Sequence, residues 1–212
     1  MIFYILILTF YHIALAFDER LIIDFSSPES VISSQWVEVS DTKRDVGLSK
    51  ATLAIIESET DRRASLFTLL VPQPDGACFA GMNYVAYNTT TKKVFDISAY
   101  STFVLNDALV TGIDAEELKT ENSIYKMILK DSNSNTSISF ENWFTAPITK
   151  TRIELNIKDF SCSYRGQSCT DSLNTKSITA LGFQVACGVY VASSAKQKRS
   201  VSSMELTSIS IF

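Results

Sequence analysis

The sequence lacks the residues on which much catalysis depends. Its one histidine, His12, lies inside an apolar leader, so a chain that loses the leader has none. That excludes Ser-His-Asp and Cys-His nucleophilic chemistry, imidazole general bases and His-ligated zinc. There is no Cys-x-x-Cys pair, no GxSxG turn and no glycine-rich phosphate loop. Positive charge is in deficit: 19 Lys and Arg stand against 23 Asp and Glu, for a net charge of −4. Such a balance gives no electrostatic footprint for nucleic acid. Helical patterning is scarce as well. Only Ser27-Pro28-Glu29-Ser30, with proline at an early helical position, and Asp114 to Lys119 read as short helical turns.

What is present begins with the leader. Residues 1–16 are almost wholly apolar and uncharged, and Asp18, Glu19 and Arg20 follow at once. Ala14-Leu15-Ala16 places small residues at the last and third-last positions, as signal peptidase requires. A membrane span needs about 20 apolar residues, more than this run supplies. The expectation is a signal peptide at 1–16 and one domain at 17–212. The mature chain is then secreted or in the secretory-pathway lumen, with no membrane span after cleavage.

Cysteine usage agrees with that compartment. Cys78, Cys162, Cys169 and Cys187 form an even set behind the leader, which allows three connectivities. Cys162 and Cys169 bracket a short polar loop, while Cys78 and Cys187 each lie in an apolar strand-like stretch. The expected bridges are Cys162–Cys169 and Cys78–Cys187, with buried free thiols as the alternative. The sequons Asn88-Thr-Thr and Asn135-Thr-Ser mark Asn88 and Asn135 as glycosylation sites in turn-like segments.

Period-two alternation runs through the chain. Ile153, Leu155 and Ile157 alternate with Arg152, Glu154, Asn156 and Lys158, as in a half-buried antiparallel strand. Tyr125, Met127 and Leu129 alternate with Lys126 and Lys130 in the same way. Further strands are expected at 36–39, 51–57, 64–70, 78–87, 102–105, 137–144, 178–187 and 204–212. Turn clusters separate them, including 72–76, 88–93, 131–135 and 193–202. Many short strands at this spacing predict an all-β sandwich.

Candidates for chemistry are few. Asp41 and Asp45 share one turn, and Glu116 and Glu117 are adjacent. A glycosidase would need such a pair, but Asp41 reads better as a turn residue accepting backbone N–H bonds. Lys43 and Arg44 oppose calcium there. The expectation is no catalytic residue, no metal and no cofactor. Arg165, inside the Cys162–Cys169 loop, is either a turn arginine bonded internally or one displayed to a partner. Trp36 reads as a packing residue. Trp143 stands on the strand face opposite Ile138, Phe140 and Phe144 and is the better exposed candidate for stacking on a sugar. Lys196-Gln-Lys198-Arg199 is a solvated hairpin tip or a dibasic processing site. Binding is expected on loops at one end of the sandwich, at Asp41, Asp45 and Arg165, with Trp143 as a further candidate.

Several motifs in order give the chain a family likeness. They are Ile23-Asp-Phe-Ser-Ser-Pro-Glu29 with Trp36, Gly76-Ala-Cys-Phe-Ala-Gly81 and Phe95-Asp-Ile-Ser-Ala-Tyr100. Tyr125-Lys126, Phe160-Ser-Cys-Ser-Tyr-Arg-Gly166, Ile178-Thr-Ala-Leu-Gly-Phe183 and Ser208-Ile-Ser-Ile211 complete the set. Together they resemble the complex I intermediate-associated protein 30 family. The resemblance implies a galactose-binding-like β-sandwich of jelly-roll type and a non-enzymatic role. The best-known members assist assembly of respiratory complex I in mitochondria. The sequence departs from the pattern at Val46, at Cys78 where glycine is usual, and at Asn83 near an expected arginine. The leader departs most. It favours a secreted interaction domain with a protein or glycan partner over a mitochondrial chaperone-like assembly factor.

Overall fold

The computed structural model describes residues 18–28, 35–43, 47–73, 78–85, 94–111, 124–187 and 200–212. The leader, Asp45, Asn88, Glu116, Glu117, the turn at 114–119 and the basic segment 196–199 lie outside them. The strands are β1 (Arg20–Asp24), β2 (Trp36–Ser40), β3 (Lys50–Glu57), β4 (Arg62–Leu70), β5 (Cys78–Val85), β6 (Thr102–Thr111) and β7 (Ile124–Asp131). They continue with β8 (Ile138–Thr145), β9 (Thr151–Asn156), β10 (Ser161–Tyr164), β11 (Gln167–Ser168), β12 (Ile178–Cys187), β13 (Ser200–Leu206) and β14 (Ser208–Ile211). One 7-stranded antiparallel sheet runs β1-β14-β6-β13-β4-β3, with β9 also on β6; the other runs β11-β10-β8-β7-β12-β5-β2. The short 3-10 turns Asp41–Lys43 and Ile157–Asp159 follow β2 and β9.

Alternation explains how the sheets meet. Leu181, Phe183, Val185 and Cys187 of β12 face inward with Tyr125, Met127 and Leu129 of β7 and Phe140 and Phe144 of β8. Leu66, Leu70, Phe103, Leu105, Met204, Leu206, Ile209 and Ile211 face them from the other sheet. Each such side chain contributes about 1.5–3 kcal/mol by leaving water. Trp36 belongs to this core, between Phe25 at 5.9 Å and Tyr84 at 5.5 Å.

Both cysteine pairs stand at disulfide distance. Cys78 and Cys187 are direct partners on β5 and β12, with Cα atoms 5.0 Å apart. Cys162 and Cys169 are 5.1 Å apart and staple the β10–β11 hairpin. Arg165 (φ 51°) and Gly166 (φ 83°) form its two-residue turn, the left-handed backbone that closes tight hairpins.

Three expected boundaries were misplaced, the first being the strand expected at 102–105, which runs on to Thr111 as β6. The closing segment is not one strand over 204–212: it breaks at Thr207, opposite Asp107, whose φ is 52°. Thr207 instead donates its N–H to the Asn106 carbonyl. The expected turn cluster at 193–202 overlaps a strand, because β13 begins at Ser200. Its polar sequence hides an inward position. Ser202 Oγ bonds Tyr125 Oη at 2.9 Å and Thr68 Oγ1 at 2.7 Å inside the core.

Candidate functional site

The described parts of the two loops expected to bind, at Asp41 and Arg165, do not form one site. Asp41 is wholly buried, and its carboxylate accepts the Ser49 N–H at 2.9 Å, the Ser49 hydroxyl at 2.8 Å and the Phe79 N–H at 3.2 Å. It clamps the β2–β3 connection to the start of β5 and presents nothing to a ligand. Gly47 completes the clamp, since a β-carbon there would stand 1.8 Å from the Asp41 carbonyl oxygen. Arg165 lies elsewhere. Asp41 follows Ser40, the β2 partner of Ala80, at one end of an edge strand. Tyr164, just before Arg165, pairs with Ile138 at the other end of the sheet and near its opposite edge. The expected convergence of Asp41 and Arg165 is therefore wrong: they occupy diagonal corners.

The sheet between those corners carries a groove instead. On the outer face of the second sheet, cross-strand register aligns Trp143, Lys126, Gln184, Gly81 and Val39. The next row is Glu141, Ile128, Gly182, Asn83 and Val37. A groove of about 480 Å³ opens over both rows and reaches Thr136, Ser137, Arg165 and Gly166 at its rim. That volume is in the range of small-ligand sites. Gly81 and Gly182 stand in these rows where the strands approach closely: a β-carbon on Gly81 would lie 2.3 Å from the Phe183 carbonyl oxygen, and one on Gly182 2.4 Å from that of Met82.

Its polar groups are largely ordered already. Lys126 Nζ stands 2.9 Å from Glu141 Oε1, and both residues are buried. Ser139 Oγ donates to the same oxygen at 3.0 Å. The indole of half-buried Trp143 lies 5.2 Å from Lys126 Nζ, a cation–π contact. Burial pushes the Lys126 ammonium below its ordinary value, and the Glu141 carboxylate opposes that shift. Burial lowers Lys130 too, while its Nζ donates to the Thr136 carbonyl at 2.9 Å. Asn83 is 8% exposed and its Oδ1 has no hydrogen-bond partner. An acceptor so placed is costly unless something donates to it. Arg165 is exposed, 5.5 Å over the Tyr164 ring, and joins no ion pair among the described residues.

Strand alternation points Lys126 outward, but not to open water. Glu141 and Trp143 cover it from a neighbouring strand, and only register brings them there. Glu141, Ser139 and Gln184 of the groove were not singled out in the sequence, and Lys126 and Lys130 figured there only in strand alternation and a family motif, not as site residues. Asn83 stood out only as a departure from a family pattern. Asn135 lies on the β7–β8 turn next to the rim residues Thr136 and Ser137. Among the described residues, Cys162, Cys169 and Asp171 alone bring three metal-ligand side chains together. The two sulfurs are bonded to each other and offer no thiolate.

Residues 23–206 match the family model for complex I intermediate-associated protein 30 (CIA30). The chain belongs to that family. No curated protein sequence matches it. Among solved structures, it is similar to the family 11 carbohydrate-binding module of the cellulosomal cellulase Lic26A-Cel5E of Clostridium thermocellum. The TM-score is 0.59 at 14% identity, over 92% of this chain and 94% of that one. A family 11 module from Clostridium thermocellum, solved in complex with a β-1,3-1,4-mixed-linked tetrasaccharide, gives 0.59 at 15%, over 92% and 95%. The solution structure of CtCBM11 gives 0.57 at 17%, over 94% and 97%. At these identities the likeness is one of fold: a jelly-roll β-sandwich, as the galactose-binding-like resemblance implied.

Proposed function

We propose that this CIA30-family chain is a secreted or secretory-lumen binding domain, not an enzyme, that takes a glycan in the groove on its second sheet. The observation that carries the reading is Asn83. Its Oδ1 is a buried acceptor without a partner in the groove lining, beside donors and acceptors held in place by the Lys126–Glu141 pair. Fixed polar groups over an open, strand-wide floor suit a ligand rich in hydroxyls. The tetrasaccharide bound by a family 11 module of the same fold supports the same class. The two disulfides favour an oxidising compartment, as does the leader, and both weigh against a mitochondrial assembly factor. Among the described residues, Glu141 is the only carboxylate lining the groove, and it is paired with Lys126; a glycosidase needs two.

Affinity electrophoresis against a panel of purified polysaccharides tests the proposal. At least one should retard the protein, release no reducing ends, and lose its effect on Asn83→Ala at unchanged melting temperature. Retardation by none, or retardation indifferent to Asn83→Ala, would remove the groove as a glycan site.

A further inference from the structure

Resting on the glycan reading of the groove, we infer that its ligand is an acidic oligosaccharide, carrying a carboxylate or sulfate at the Lys130–Arg165 end. The charges in the groove run against those of the chain. The protein is net acidic at −4, yet among the described residues the lining holds Lys126, Lys130 and Arg165 against Glu141 alone. Glu141 is spent on Lys126, at 2.9 Å. Lys130 and Arg165 join no ion pair among the described residues, which leaves two uncompensated cations at one end. They are held close: Lys130 Nζ binds the Thr136 carbonyl, and the Arg165 N–H binds the Ser137 carbonyl at 3.4 Å.

The other end asks for a different partner. Asn83 Oδ1 needs a donor, and a sugar hydroxyl supplies one without bringing charge. From Asn83 on β5 to Lys130 on β7 is two strands across and one two-residue step along. With ordinary strand spacing and rise this is about 12 Å between backbone positions. One molecule serving both ends must be longer than a single sugar ring, with hydroxyls at one point and an anion at another. A charge-assisted hydrogen bond to guanidinium or ammonium strengthens that end further. An anion there also offsets the desolvation of Lys130.

The test measures binding of the full mature protein by calorimetry to five probes: hexagalacturonate, its methyl ester, a neutral β-1,3-1,4-glucan hexasaccharide, a sulfated dextran hexasaccharide and polyglutamate. Hexagalacturonate or the sulfated sugar should bind at least about tenfold more tightly than the two neutral sugars, the scale of one charge-assisted hydrogen bond. Lys130→Gln and Arg165→Asn should each lose about tenfold on the acidic sugar and nothing on the neutral ones. Asparagine at 165 tolerates the left-handed backbone, and melting curves check that both variants fold. Arg152→Gln, on the other sheet, should change nothing. Preference for the carboxylated or the sulfated probe identifies the anion, and either supports the inference. Equal affinity for the methyl ester overturns it and leaves the glycan reading standing. Polyglutamate binding as tightly as the acidic sugars overturns it, because charge alone would then suffice. No affinity for any sugar overturns both readings.

Discussion

The side-chain oxygen of Asn83 occupies the space that a side chain on Gly182 would fill: a β-carbon there would stand 2.2 Å from Asn83 Oδ1 and 2.4 Å from the Met82 carbonyl oxygen. The asparagine can yield by rotating, but the strand carbonyl cannot. Gly182→Ala should therefore push β5 from β12 and turn Asn83 out of its place. Overpacking of this kind costs about 1–3 kcal/mol. Urea denaturation should show that loss together with loss of glycan retardation. An alanine variant as stable as the parent would mean the two strands part easily.

The Lys126–Glu141 pair separates stability from binding. Removing one partner of a buried pair leaves a charge unmatched and costs about 3–5 kcal/mol, whereas replacing both with apolar groups is often neutral. Glu141→Gln should lower stability toward that scale, and Lys126→Met with Glu141→Leu should recover most of it. Neither variant should bind the ligand. A double variant that is both stable and active would show that the pair only fills space.

Tyr125 predicts the alkaline limit. Its ring lies in the core, and desolvation pushes the phenol up to about 12, against the hydrogen bond from Ser202. The unfolded phenol titrates near 10. A group raised on folding keeps its full contribution below the unfolded value and loses it as pH rises through the folded one. Stability should thus fall between about pH 10 and 12, by roughly 2–3 kcal/mol from this group. Tyr125→Phe should flatten that part of the curve in a pH series of urea midpoints. An unchanged slope would assign the loss to other groups.

The two bridges should differ in weight. The Cys78–Cys187 bridge spans 109 positions and the Cys162–Cys169 bridge spans 7. In the chain-entropy model these contribute about 4–5 and about 2–3 kcal/mol. Double Cys→Ala variants of each pair, compared by denaturant midpoint, should rank in that order. The hairpin variant should also loosen Arg165 and weaken acidic-ligand binding while neutral-sugar binding persists. A reversed ranking would mean that the long loop is already restricted in the unfolded chain.

How much of this was legible depended on whether a residue's environment was local. In β9, Arg152 and Glu154 are exposed while Leu155 is buried, and sequence periodicity alone gave the strand. Trp143 was placed on the outer face from β8 alone, and it lies there. Asp41 was legible as an acceptor of backbone N–H bonds, but not as buried, because Ser49 and Phe79 reach it from later segments. Ser202 looked like loop because its partners, Tyr125 and Thr68, come from distant strands. Lys126 shows the same limit at the site. Alternation put it outward, while its burial comes from Glu141 and Trp143 on the next strand. A groove across several strands depends on register, and no single strand spells that out.

The sequon at Asn135 bears on the groove directly. Asn135 is exposed on the β7–β8 turn, its Oδ1 accepting the Ser137 N–H at 2.9 Å. The next two residues, Thr136 and Ser137, form the rim beside Lys130 and Arg165. Asn135 thus immediately precedes the residues of the cationic mouth. If the chain enters the secretory pathway, its mature form should begin at Phe17 and carry a glycan at Asn135, both readable by mass spectrometry. A glycan there would crowd the mouth and compete with an incoming oligosaccharide for Lys130 and Arg165. Enzymatic removal of the glycan, or Asn135→Gln, should therefore raise affinity for hexagalacturonate severalfold, mainly through a faster on-rate. Retention of Met1 would count against export, and an unmodified Asn135 would leave the mouth open in the cell. Equal affinity with and without the sugar would mean that the glycan points away from the groove.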